Sequence, residues 1–163
     1  MQTLLNIDDY RVDHIEISTN SDYKKSDVAT VPFDINFDIK RNKDNPLAFL
    51  IPMSIQFNAN GGISPSIEYH INLAITGYFS FLEGTSEEAV NKMIAPNGLS
   101  ILYGVARGVV AQVTGNCKYG KYILPTLNFM EIIENKFKKL NSEKAPTPSK
   151  KKTSVPQKNK KAA

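Results

Sequence analysis

The chain has 163 residues, 41% of them hydrophobic, with 20 Lys and Arg against 16 Asp and Glu. That length is enough for one domain with a real core, and no stretch approaches the roughly 18 uninterrupted apolar residues of a membrane helix, so no membrane span is expected. One cysteine, Cys117, excludes an internal disulfide and a cysteine-based zinc cluster, while the start MQTLLNIDDY lacks the basic and apolar regions of a secretory signal.

Both features suit a reducing cytoplasm. The net charge of +4 hides an asymmetry: residues 142–163 hold seven lysines and one glutamate, leaving 13 basic and 15 acidic side chains in residues 1–141. The body is mildly acidic and the high pI belongs to the tail. The expected organisation is a domain over 1–141 and a disordered Lys/Pro/Ser-rich tail over 142–163 with almost nothing to bury.

Residues 10–19, YRVDHIEIST, read as a first strand in which Val12 is out of phase with Ile15 and Ile17, a conflict that a bulge resolves. Residues 20–32 are polar and turn-rich and form a connection. Over 33–40 the alternation is clean: Phe33, Ile35, Phe37 and Ile39 face one way, and Asp34, Asn36, Asp38 and Lys40 the other. After the polar turn RNKDNP, the same pattern resumes from Leu47 to Phe57. Pro52 on the opposite phase predicts an edge position or a bulge for this third strand. ANGG at 59–62 is a hairpin signal. A long fourth strand runs from Ile67 to about Leu82, with Gly77 interrupting its apolar row and marking a bend or a close approach.

The period changes at Gly84. TSEEAVNKM offers Thr85 or Ser86 as a cap, with Glu87 and Glu88 in the first turn. Pro96, Asn97 and Gly98 then predict a break before a long helix over 98–114. A loop with Gly115, Asn116, Gly120 and Pro125 follows, and a last helix over 128–140 is capped by Asn128, with Phe129, Ile132, Ile133 and Phe137 on its apolar face. No connection between strands is long enough for a crossover helix. Strands first and helices afterwards argue an α+β fold, a four-stranded antiparallel sheet with helices packed on one face.

Little catalytic chemistry is present. His14 and His70 stand on strand patterns without ligand partners, and Cys117 lies in a loop with no catalytic signature. The chain has no phosphate-binding loop, no dinucleotide fingerprint, no nucleophile elbow and no zinc-protease helix. Neither metal, cofactor nor enzymatic activity is expected. What remains is apolar surface, above all in KYGKYILP (118–125), where Tyr119, Tyr122, Ile123 and Leu124 sit in a short loop beside an amphipathic helix. Such a loop can line an adaptable groove.

ILYGVARGVV, the loop, LPTLNF and the short amphipathic helix, together with GYFSFLEG at the end of the fourth strand, resemble the SecB family of bacterial export chaperones. The resemblance covers roughly residues 9–140. Ile101, Leu102, Tyr103, Ala106 and Arg107 fit the family pattern, while Gly104 and Val105 replace its usual Pro and aromatic. The family's fold is a four-stranded antiparallel sheet followed by a long and a short helix. The resemblance implies a chaperone that works without ATP, binds unfolded polypeptides or preproteins, and assembles as a tetramer, a dimer of dimers. It implies client-binding roles for Ile35, Phe37 and Ile39 on the second strand, Tyr122, Ile123 and Leu124 in the loop, and Ile133 and Phe137 on the last helix.

The small apolar face Leu102, Ala106, Val109 and Val113 is the expected contact between subunits, with Gly104 and Gly108 as close-approach positions, the alternative being that this face packs on the protein's own sheet. Three features depart from the family: Asn72 where an acid docks the export motor, a lysine-rich C-terminus, and no Trp. Export and protection of an antitoxin both remain open as roles. A competing reading rests on the tail alone, whose seven lysines suit a nucleic-acid- or ribosome-associated module with steep salt dependence. The body lacks the basic stripe of a reader domain.

Overall fold

The computed structural model describes residues 3–25, 32–59 and 64–143, apart from the side chains of residues 137 and 139–143. Among the described residues five antiparallel strands form one open sheet: β1 (Leu5–Thr19), β2 (Phe33–Phe37), β3 (Lys40–Arg41), β4 (Ala48–Phe57) and β5 (Tyr69–Phe81). The order is β1-β5-β4-β2, and the two-residue β3 also pairs with β4. Helices α1 (Glu87–Met93), α2 (Leu99–Thr114) and α3 (Phe129–Glu143) follow. The α+β class, the antiparallel sheet and the strand-then-helix order agree with the sequence reading. The last helix takes in residues 142 and 143 of the expected tail, and the rest of the tail, 144–163, and the Asn60–Gly62 part of the hairpin signal lie outside the described residues.

The first strand begins five residues earlier than its pattern showed, at Leu5, which is buried opposite Phe81. Its register with β5 shifts between Ile7 and Asp9 and again between Val12 and His14. The second shift restores phase, so Val12, Ile15 and Ile17 lie opposite Ile75, Leu73 and Ile71 on one face.

Pro52 does not put β4 at an edge. The strand lies inside the sheet, and the irregularity falls on its neighbour instead. The Pro52 carbonyl accepts from the Asp38 amide at 3.1 Å, but a proline has no N–H to return the bond. The neighbouring strand therefore breaks at Asp38–Ile39 into β2 and β3.

The inner face of β4 and β5 is the core: Ile51, Ile55, Phe57, Ile71 and Leu73 are fully buried. Helix α2 lies on this face through Leu99, Leu102, Tyr103, Ala106 and Val110. Ser86 caps α1, its hydroxyl accepting from the Ala89 amide at 3.3 Å, with Glu87 and Glu88 in the first turn. The predicted break at Pro96–Gly98 is absent. The chain passes through a wide π-type turn, Ile94–Gly98, directly into α2. A widened turn accommodates the missing Pro96 N–H without ending the helix. The resulting 28-residue run Glu87–Thr114 is long and apolar enough to cross a membrane by length and composition alone. Here its inner side is committed to the protein's own sheet.

Candidate functional site: a groove between β2 and α3

β2 is the outermost long strand on one side of the sheet, and its inward side chains Phe33, Ile35 and Phe37 are only half-buried. Helix α3 runs beside this edge. Its start is fixed by Asn128, which accepts from the Glu131 amide at 3.5 Å through its side chain and from the Ile132 amide at 3.2 Å through its carbonyl. Between strand and helix lies a groove of about 410 Å³, lined by Asp34, Ile35, Asn36, Phe37, Ile132, Asn135 and Lys136. The Lys136 ammonium donates to the Phe37 carbonyl and stands 4.1 Å from the centroid of the Phe37 ring.

An aromatic series runs behind the groove. Phe129 packs on Tyr103 at 5.4 Å between centroids, Tyr103 on Phe33 at 6.5 Å, Phe33 on Phe57 at 6.1 Å, and Phe57 on Tyr122 at 5.2 Å. The three segments singled out in the sequence, the second strand, the inter-helix loop and the last helix, are thus joined through contiguous edge-on and tilted rings.

The inter-helix loop is tied down by hydrogen bonds to the sheet and to α2. The Tyr69 hydroxyl donates to the Gly120 carbonyl at 2.8 Å and accepts from the Tyr119 amide at 3.1 Å. The Tyr119 hydroxyl donates to the Asn20 carbonyl at 3.3 Å, and the Tyr122 amide donates to Thr114 Oγ1 at 2.8 Å. The Tyr103 hydroxyl donates to the Pro125 carbonyl at 2.7 Å, and Arg107 Nε to the Leu124 carbonyl at 2.9 Å. These bonds fasten the loop to the core at both ends. Burial pushes the Tyr103 and Tyr122 phenols up to about 12, so both stay neutral at ordinary pH.

The structure therefore sorts the predicted client-contacting residues. Ile35 and Phe37 line the groove, and Ile133 is half-buried on α3. Ile39 is half-buried in the break of the edge strand, Tyr122 is half-buried in the aromatic series, and Ile123 is 53% exposed on the loop. Leu124 is a correction: it is fully buried, because the bonds to its own and the following carbonyl turn its side chain into the core. The Phe137 side chain lies outside the described residues. Ile132, Asn135 and Lys136 were missed as groove residues, although Lys136 follows Ile132 by one helical turn and shares its side of α3.

The predicted subunit face needs the same correction. Leu102 and Ala106 have no exposed surface and pack on the protein's own sheet, Val109 is half-buried, and Val113 is 41% exposed. Leu102 and Ala106 stand two residues, about 200° round the helix, from the true outer side. That side carries Ser100, Gly104 and Gly108, and an added Cβ at either glycine meets nothing within 4 Å.

His14 is exposed, 3.9 Å from the Glu16 carboxylate. His70 uses Nδ1 to bond the Asn58 carbonyl at the end of the sheet. Among the described residues no three His, Cys, Asp or Glu side chains form a metal-binding group.

The fold is SecB-like. At a TM-score of 0.50 and 19% identity, the chain matches the SecB-like chaperone of Mycobacterium tuberculosis, solved in complex with a peptide from the HigA1 antitoxin; the match covers 76% of this chain and 91% of that one. A protein of unknown function from Streptococcus agalactiae matches at a TM-score of 0.40 and 14% identity, over 75% of this chain and 97% of its own. In sequence, an uncharacterized protein of Methanocaldococcus jannaschii is 26% identical over 145 residues, 88% of this chain and 92% of the relative. No family model matches the sequence.

Proposed function

We propose that this protein is a nucleotide-independent chaperone that holds unfolded polypeptide segments in the groove between β2 and α3. The observation that carries the proposal is the groove itself: half-buried Ile35, Phe37 and Ile132 stand beside one another at a sheet edge, backed by a continuous aromatic series. A compact native protein has few large apolar side chains to offer such a surface, whereas an unfolded chain offers many. Full burial of one large apolar side chain stabilises by about 1.5–3 kcal/mol. Several such contacts along one chain sum to useful avidity without sequence specificity. Binding the unfolded state alone then keeps a client open by mass action. The likeness to a chaperone solved with an antitoxin peptide supports this reading, and an antitoxin or a preprotein is a fitting client.

Assembly into a homo-oligomer belongs to the same proposal. The outer side of α2, with Gly104 and Gly108, is the surface we assign to a second subunit, in place of Leu102 and Ala106.

The test mixes the full chain with a permanently unfolded, carboxymethylated protein and with its native form, without nucleotide, and reads mass by light scattering after gel filtration. Retention of the unfolded form alone is the expected result. Retention of neither form, together with no suppression of aggregation on dilution from denaturant, would refute the proposal.

A further inference from the structure

β2 pairs with β4 on one side, and its register fixes which backbone groups point where. The Asp38 amide bonds to Pro52, and the Asn58 amide bonds to Pro32, with Asp34 opposite Gln56 and Asn36 opposite Ser54 between them. Antiparallel ladders alternate bonded and non-bonded pairs. The backbone groups of even-numbered residues are thus taken up by β4, and those of Phe33, Ile35 and Phe37 point away from it, along the groove. Among the described residues, the one side chain that reaches this row is Lys136, on the Phe37 carbonyl.

We propose that Lys136 is the specificity-setting residue of the groove: a displaceable cap on the β2 edge that selects extended, apolar client segments carrying an acidic residue. The inference rests on the holdase reading and names how the groove is filled. An incoming extended segment adds to β2 as a further strand, bonding to the backbone of Phe33, Ile35 and Phe37, while its alternate side chains enter beside Ile35 and Ile132. Its N–H at Phe37 takes the carbonyl that Lys136 now holds. The released ammonium remains at the rim, where the groove's other charged group is the Asp34 carboxylate on the opposite phase of β2. A client carboxylate restores a charge-assisted hydrogen bond to Lys136, whereas a client lysine meets a like charge.

The experiment measures fluorescence anisotropy of labelled peptides of alternating Val and Thr with Glu, Gln or Lys at the centre, titrated with the full chain. The wild type binds the Glu peptide about three- to fivefold more tightly than the Lys peptide, as fits one partly exposed ion pair. Lys136→Glu inverts that order, and Lys136→Gln abolishes the difference. Lys136 is exposed, so the variants keep the fold, which circular dichroism checks. N-methylation of the peptide nitrogens on one phase abolishes binding if the segment adds as a strand. The same peptide order in wild type and Lys136→Glu, or undiminished binding of both N-methylated forms, overturns the inference. Unfolded protein retained with no peptide discrimination leaves the holdase standing and removes the cap, whereas retention of neither removes both.

Discussion

At Gly77 on β5 the side chain of Leu102 on α2 sits close against the sheet, and replacing this glycine with alanine tests the packing that positions the helical layer. A Cβ there would stand 2.6 Å from Phe79 Cε2 and 2.9 Å from Leu102 Cδ1. Phe79 and Leu102 are 1% and 0% exposed, so neither side chain has room to swing aside. Overpacking a core by one methyl costs about 1–3 kcal/mol. Loss of the glycine's unfolded-state freedom returns about 0.4–1 kcal/mol. The net expectation for Gly77→Ala is a loss of about 1–2 kcal/mol, or a drop in Tm of about 2–8 °C for a chain of this size.

Urea denaturation followed by circular dichroism measures the loss, and a cycle with Leu102→Ala assigns it. Leu102→Ala alone costs about 2–5 kcal/mol by leaving a cavity. In the Gly77→Ala background part of that cavity is filled, so the double variant is more stable than the sum of the singles by about 1 kcal/mol. Strict additivity, or a Gly77→Ala variant as stable as wild type, would refute the contact between α2 and β5.

Gly104→Leu tests assembly: its side chain has open space in the single chain, so the fold survives while the light-scattering mass falls toward that of a single chain. An unchanged mass would show that subunits do not meet there. The Arg41 guanidinium donates to both Glu87 carboxylate oxygens, at 2.6 and 2.7 Å, tying β3 to α1. These hydrogen bonds hold the Glu87 carboxyl below the usual carboxylate range. A depressed carboxylate contributes stability above its unfolded value, and that contribution is lost as pH falls through the folded value. Arg41→Gln therefore narrows the gap between neutral and acid stability below about pH 4.5, with a small effect because the pair is exposed; an unchanged acid limb in denaturant titrations would count against the pair.

The sheet was legible because one covered face imposes a period of two, which β2 and β4 carry throughout and β5 carries on either side of Gly77. β1 was read only from Tyr10 because Asn6, Asp8 and Asp9 look like loop residues; their pairing with β5 is tertiary information. Pro52 was correctly seen as a disturbance, but a sequence cannot say which of two neighbouring strands yields. The phase of α2 failed for a related reason. Apolar residues run almost all round that helix, so periodicity alone could not choose between the side bearing Leu102 and the side bearing Gly104. The groove was half-visible: Ile35 and Phe37 follow from alternation, but their meeting with Ile132 and Lys136 depends on where α3 docks. Leu124 was misjudged because the tyrosine and arginine bonds that fasten its loop come from Tyr69, Tyr103 and Arg107, all distant in sequence.

Hydrogen–deuterium exchange of the full chain, with and without a saturating permanently unfolded polypeptide, tests the central claim most directly. Client-dependent protection over residues 33–37 and 129–136 is the predicted result. Protection confined to the outer face of β1 and β5, or none anywhere while the client remains bound, would contradict the placement of the client in the groove between β2 and α3.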